Sequence, residues 1–170
     1  MQPWADEVQR ELKRAGVSLV GYVPDAGHKR LIELCRADKG MRAVVLTTEE
    51  EGIGLAAGAW LGGAKSVLLM QSSGVGNTVN VLGLLKTCAI PLVTIVTMRG
   101  EAGEFNSWQV PMGQATQQAF EVMAVKVVRA SSAEEVAPLV VSALKDSTST
   151  AVLISQKVIG IKSFQDQTSQ

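Results

Sequence analysis

Glu49, Glu50 and Glu51 open a stretch in which the next ten residues, Gly52 to Leu61, carry no charge. A run of Gly, Ala, Ile, Leu and Trp reads as a tightly packed helix, because small residues let backbones approach closely. A carboxylate at the mouth of such a helix must pair, accept hydrogen bonds or hold a proton, since an isolated buried charge is costly. Two readings stay open. Acids in a first turn complement the helix dipole, with Thr47 or Thr48 as N-cap and a Glu closing a capping box. Alternatively, one acid faces a bound group.

A second chemical stretch is Ser73-Gly74-Val75-Gly76-Asn77. It offers backbone N–H groups at a helix start, suited to a polar ring edge or an anion, or it is a plain glycine turn. The dinucleotide fingerprint fails, because Val79 stands where its third glycine belongs. Gly-Lys-Ser/Thr and Gly-x-Ser-x-Gly are absent, which excludes a P-loop and leaves a nucleophile elbow without support. The segment Met98–Met112 (MRGEAGEFNSWQVPM) is long for a connection in an α/β domain. It brings Arg99 together with Phe105 and Trp108 and reads as an active-site or partner loop. Arg99 offers a fork suited to an oxyanion, or it pairs with Glu101 or Glu104. His28 follows Pro24 in the first turn of a helix, as a surface residue or a site residue.

These residues need a frame. Helices are expected at Pro3–Ala15 and after Asp25, which would cap a helix carrying Leu31, Leu34 and Cys35. Others are expected from the acidic cluster onward, at Asn77–Ala89 (Val81, Leu84, Leu85 and Cys88 inward), at Gly113–Ala124 and at Ser132–Asp146. Strands are expected at Val17–Val20, Arg42–Leu46, Ser66–Gln71, Pro91–Thr97, Val125–Val128 and Thr150–Ser155, with a frayed tail at Gln165–Gln170. The alternation predicts an α/β, three-layer fold: one domain over 1–170 with a six-strand, mostly parallel sheet and helices on both faces. In such sheets ligands gather at the carboxyl ends of the strands. Gly21–Asp25, Thr48–Glu51, Ser72–Asn77 and Met98–Met112 all fall there.

Composition narrows the function. The 170 residues balance to zero formal charge, so no basic nucleic-acid surface is expected. No apolar run reaches membrane-span length, and the charged, amphipathic start is not a secretory signal. Cys35 and Cys88 read as reduced core thiols, and a single His excludes a multi-His metal site. A cytoplasmic setting follows.

Together, three features resemble the pyrimidine-binding domain of thiamine-diphosphate enzymes. Glu49 is followed nine residues later by Gly58, after Ala56-Ala57; Ser73-Gly74-Val75-Gly76 follows in register; and Val23-Pro24 lies upstream. The segments EEEGIGLAAGAWL, LLMQSSGVGNTVN, IPLVTIVTMRGEAGE and QVPMGQAT are similar to the sulfopyruvate decarboxylase alpha subunit and to the amino-terminal half of phosphonopyruvate decarboxylase. The resemblance implies the thiamine-diphosphate-binding, Rossmann-like fold. It implies Glu49 as the catalytic acid, with Glu50 as the alternative, sharing a proton with the cofactor's aminopyrimidine. It implies Val23, Pro24, Gly74 and Asn77 as cofactor contacts, and we nominate His28, Asn77, Arg99 and Gln109 for the second anionic group of a 2-oxo acid. The family's Gly-Asp-Gly followed by Asn, which holds magnesium and diphosphate, is absent. A beta subunit is therefore expected to carry Mg2+ and the diphosphate site. The expected activity is decarboxylation of 3-sulfopyruvate to sulfoacetaldehyde. Phosphonopyruvate, an acetolactate-type carboligation or a non-catalytic Rossmann-like module are the alternatives.

Overall fold

A computed structural model describes residues 3–160; the expected tail, Gln165–Gln170, lies outside them. The chain runs α1 (Pro3–Arg14), β1 (Val17–Tyr22), α2 (Lys29–Ala37), β2 (Arg42–Val45), α3 (Glu49–Leu61) and β3 (Lys65–Gln71). A 3-10 turn (Ser72–Gly74) leads into α4 (Val75–Cys88), then β4 (Val93–Thr97). A second 3-10 turn (Ser107–Gln109) precedes α5 (Val110–Val122), followed by β5 (Lys126–Ala130), α6 (Ala133–Lys145), β6 (Thr150–Ile154) and a short α7 (Gln156–Ile159).

The six strands lie in the order β2-β1-β3-β4-β6-β5. Every neighbouring pair is parallel, so all carboxyl ends share one edge. The register sets Tyr22 beside Val45 and Leu69, and Thr97 beside Gln71 and Ile154. β3, β4 and β6 are covered on both faces, which is why they read as continuous apolar runs. Two cores result. One packs α1, α2 and α6 on the sheet through Trp4, Leu12, Leu31, Val67, Leu69, Val136 and Val140. The other packs α3, α4 and α5 through Ile53, Leu68, Leu82, Val96 and Phe120. Among the described residues no helix is long and apolar enough to cross a membrane.

Several expectations need correction. β1 runs on to Tyr22, two residues past the expected end at Val20. Asp25 does not cap the second helix; α2 begins at Lys29, with His28 at the cap position. In α4 the inward residues are Val75, Thr78, Leu82 and Leu85, whereas Leu84 and Cys88 are exposed. Leu85 is buried and Val81 half-buried as expected, but an apolar helix gives a weak phase and Leu82 takes the inward place given to Leu84. Cys35 alone is a core thiol, and burial pushes it up to about 12. α5 begins at Val110, three residues early, because Pro111 suits a first helical turn.

Candidate active site

The three acids separate by helix geometry. Glu49 is 7% exposed, whereas Glu50 and Glu51 face solvent. Thr48 is the N-cap, and its hydroxyl accepts from the Glu50 N–H at 3.1 Å. Glu51 reaches back, accepting from the Thr47 N–H at 2.7 Å. Capping thus accounts for Thr48 and Glu51 and leaves Glu49 turned inward.

Glu49 lies against the glycine turn. The Asn77 amide donates from Nδ2 to Glu49 Oε2 at 2.9 Å. Gly74 stands on the other side: a Cβ there would lie 2.6 Å from Glu49 Cγ and nearer still to the carboxyl. Only a bare backbone fits that contact. Oε1 has no hydrogen bond among the described residues, yet it is not sealed from solvent. A carboxylate takes up to about four hydrogen bonds. This one holds one and leaves an oxygen open.

Next to it, a belt of polar side chains crosses the carboxyl edge of the sheet. Asp25 accepts from Gln71 Nε2 at 2.7 Å and from the Thr97 hydroxyl at 2.6 Å, tying together the ends of β1, β3 and β4. Gln71 Oε1 accepts from Ser73 Oγ at 2.6 Å and from Gln109 Nε2 at 2.9 Å. Gln109 Oε1 accepts from Arg99 Nε at 3.0 Å, and Arg99 Nη2 meets Glu104 Oε1 at 2.7 Å. Glu104 also accepts from the N–H groups of Gly100 and Asn106 and from Gln156 Nε2. Glu101 continues the belt to Arg129, Ser155 and the Gln156 N–H.

Charge follows this geometry. Burial works against the Asp25 carboxylate, but the His28 ring 3.6 Å away, the Thr97 hydroxyl and the Gly27 N–H outweigh it. They hold Asp25 below the usual aspartate range. Burial likewise opposes Glu104, and the Asn106 N–H, Arg99 and the Gly100 N–H lower it to about 2.

The sequence candidates are therefore placed as follows. Glu49, Gly74 and Asn77 meet directly. Val23 and Pro24 follow β1; Val23 packs toward the α3–α5 core, and Pro24 lines a cleft of about 610 Å³ with Tyr22, Lys29, Ile32 and Val45. Arg99 is 4% exposed and paired with Glu104, and Gln109 is bonded to it. His28 is fully buried beside Asp25 and the Trp4 ring edge, with neither ring nitrogen hydrogen-bonded among the described residues. Sequence reasoning offered Glu104 as a partner of Arg99, as found, but missed Asp25 as an inward acid, and also Gln71 and Gln156. One signal was available for Gln71, Asp25 and Gln156: each is a polar residue at or just past the end of an apolar strand.

Comparisons with known proteins give the chain its family and its fold relatives. The chain is 37% identical over 137 residues to the sulfopyruvate decarboxylase subunit alpha of Methanococcus maripaludis, covering 80% of this chain and 82% of that one. It is 37% identical over 155 residues to the subunit of the same name from Methanothermobacter thermautotrophicus, covering 88% and 94%. The chain belongs to the sulfopyruvate decarboxylase alpha-subunit family. It is also 42% identical over 90 residues to the phosphonopyruvate decarboxylase of Streptomyces viridochromogenes, covering 52% of this chain and 23% of that protein. No family model matches the chain. The fold is shared with the 2-oxoglutarate:ferredoxin oxidoreductase of Magnetococcus marinus (TM-score 0.71, 14% identity), of which this chain covers 29% against 92% of its own length. It is shared also with a Mycobacterium smegmatis protein described as a thiamin diphosphate-dependent enzyme (TM-score 0.70, 16% identity; 94% of this chain, 33% of that one).

Proposed function

We propose that this chain, acting as one domain, is the pyrimidine-receiving half of a two-chain thiamine-diphosphate-dependent decarboxylase whose substrate is 3-sulfopyruvate. One observation carries the reading: a buried glutamate pressed on a bare glycine, with one carboxylate oxygen held and the other open. That arrangement fits an aminopyrimidine, which needs a carboxyl partner and a wall without side chains. When bound, the cofactor supplies the electron sink for loss of carbon dioxide.

The chain's own residues do the rest. Glu49 offers Oε1 to a ring nitrogen and holds or releases a proton there. Gly74 keeps the backbone clear, while Val23 and Pro24 supply apolar surface at the end of β1. For the sulfonate we nominate Arg99, with Gln109 bonded to it and His28 buried behind the belt beside Asp25. Arg99 is tied to the glycine turn by its N–H on Ser72 Oγ at 2.9 Å. A sulfonate there competes with Glu104 for the guanidinium. Matches to the named sulfopyruvate enzymes run over 80% and 88% of the chain, against 52% for the phosphonopyruvate enzyme, which orders the two substrates.

A partner subunit carrying magnesium and diphosphate completes the proposal. The relatives are named alpha subunits, and the surface is lopsided in the way a partnered chain requires. Among the described residues seven large apolar side chains are exposed. All but Val45 (Trp60, Leu61, Leu84, Phe105, Trp108 and Val122) lie on α3–α5 or the loop between β4 and α5. The opposite layer presents ion pairs instead, Asp6–Arg30 and Lys13–Asp38. A helix such as α3, apolar on all sides after its first turn, is stable when covered all round.

The test is carbon dioxide release from 3-sulfopyruvate by the reconstituted two-subunit enzyme, with phosphonopyruvate in parallel. Glu49→Gln should lower turnover steeply, to a small measurable residue, while leaving assembly intact. Full activity in Glu49→Gln sinks the catalytic reading, and faster turnover of phosphonopyruvate reassigns the substrate.

A further inference from the structure

Glu49 is useful only if its open oxygen points the right way, and the structure holds it by a single side chain. A glutamate in a first helical turn has three rotatable bonds, and fixing them costs up to about 2 kcal/mol of rotamer freedom. Two features remove that freedom. Gly74 blocks retreat on one side by close contact. Asn77, in the first turn of α4, ties Oε2 at 2.9 Å on the other. No Lys, Arg or His forms an ion pair with Glu49 among the described residues. The donor is therefore a neutral amide, and it orients the carboxyl without pairing it with a cation.

We infer that Asn77 is a positioning residue for Glu49: by donating to Oε2 it reserves Oε1 as the oxygen that meets the cofactor. This rests on the role given to Glu49 above. It departs from the expectation that Asn77 serves cofactor or substrate directly, because one of its two amide N–H groups is given to Glu49. It also explains the pairing of two helix starts. α3 delivers the acid, α4 delivers its holder, and the two helices pack against each other.

A double-mutant cycle on the reconstituted enzyme separates acting through Glu49 from acting alone. A charge-assisted hydrogen bond of this kind is worth about 10- to 100-fold in rate when lost. Asn77→Ala should lower kcat by about that factor, with KM for the 2-oxo acid within about twofold and little change in melting temperature. Asn77→Asp keeps the shape but replaces the donor with a like charge, and should lose more than Asn77→Ala. In a Glu49→Gln background Asn77→Ala should add less than about twofold.

Thiamine diphosphate affinity, measured by calorimetry on the same four proteins, gives the cycle a readout independent of turnover and should show the same non-additivity. Effects that multiply in both readouts overturn the inference and make Asn77 a direct contact. Wild-type kcat in Asn77→Ala and Asn77→Asp overturns it too. Failure of the parent reading looks different: Glu49→Gln itself is then active.

Discussion

Replacing Gly74 by alanine is the sharpest single perturbation of this site, because the structure opposes its effects on stability and on function. The backbone at Gly74 has φ −86° and ψ −10°, which alanine adopts freely. The three atoms nearest the new Cβ all belong to Glu49, with Cγ at 2.6 Å and the carboxyl nearer still. Carbon atoms prefer about 3.5–4.0 Å, so the side chain must retreat by at least about 1 Å. The 2.9 Å bond from Asn77 then stretches beyond hydrogen-bond range. Its loss costs about 1–2 kcal/mol, and the lower entropy of the unfolded alanine chain offsets about 0.4–1 kcal/mol of that. Net destabilisation is about 1 kcal/mol, or roughly 2–4 °C for a chain of this size. A catalytic group displaced by about 1 Å costs about 100-fold in rate. Steady-state carbon dioxide release by the reconstituted enzyme and a thermal melt should therefore disagree: turnover falls about 100-fold while the melt barely moves. Wild-type turnover in Gly74→Ala would refute the placement of Glu49 as the working acid.

Other consequences follow from the belt and the surface. Glu104→Gln leaves Arg99 buried without its counter-charge and should cost about 3–5 kcal/mol, read by denaturant unfolding at pH 7. Because Glu104 is lowered to about 2 in the fold, its ionised bonds contribute stability above the ordinary glutamate range. That contribution should fade as pH falls from about 4.5 toward 2, and the fade should be absent in Glu104→Gln. Gly58 is exposed, with nothing within 4 Å of an added Cβ. Gly58→Leu should therefore stabilise the isolated chain by up to about 1 kcal/mol of helix propensity, read as a higher melting temperature, while weakening association with the partner in sedimentation. In the isolated chain a thiol reagent at pH 8 should modify Cys88 rapidly and spare Cys35, which is buried and pushed up to about 12.

Strand positions were legible because β3, β4 and β6 are continuous apolar runs closed by turn residues. Helix phase was harder. α1 mixes Glu, Arg and Lys with Val8 and Leu12, so its inward face can be read directly, and Ala5, Val8 and Leu12 are buried. α4 is apolar on most sides, and the choice between Leu82 and Leu84 rests on packing against α3 and α5 that no local pattern encodes. The belt was the least visible. Gln71 and Gln109 are 38 residues apart, and Asp25 and Thr97 are 72 apart. Each is an ordinary polar residue until the parallel sheet brings four carboxyl ends to one edge.

The choice among the three acids joins sequence to chemistry, and helix geometry makes it. Glu49 lies four residues before Ile53, seven before Ala56 and eight before Ala57, all buried. Glu50 lies four and eight before Gly54 and Gly58, both exposed. Successive residues turn by about 100°, so only the first acid shares the inward stripe. The neighbouring acids are free to cap and to face water, and the sequence needs no special device to keep them out of the site. What selects Glu49 is therefore the phase of an otherwise featureless helix, fixed by Gly52, where a Cβ would stand 3.0 Å from Leu46 Cδ1 and from Leu68 Cδ2. Gly52→Ala should rotate or lift the first turn of α3 and displace Glu49 without touching it, so activity should fall together with stability. The opposite pattern, loss of activity alone, belongs to Gly74→Ala, and the pair of variants separates delivery of the acid from the contact that receives it.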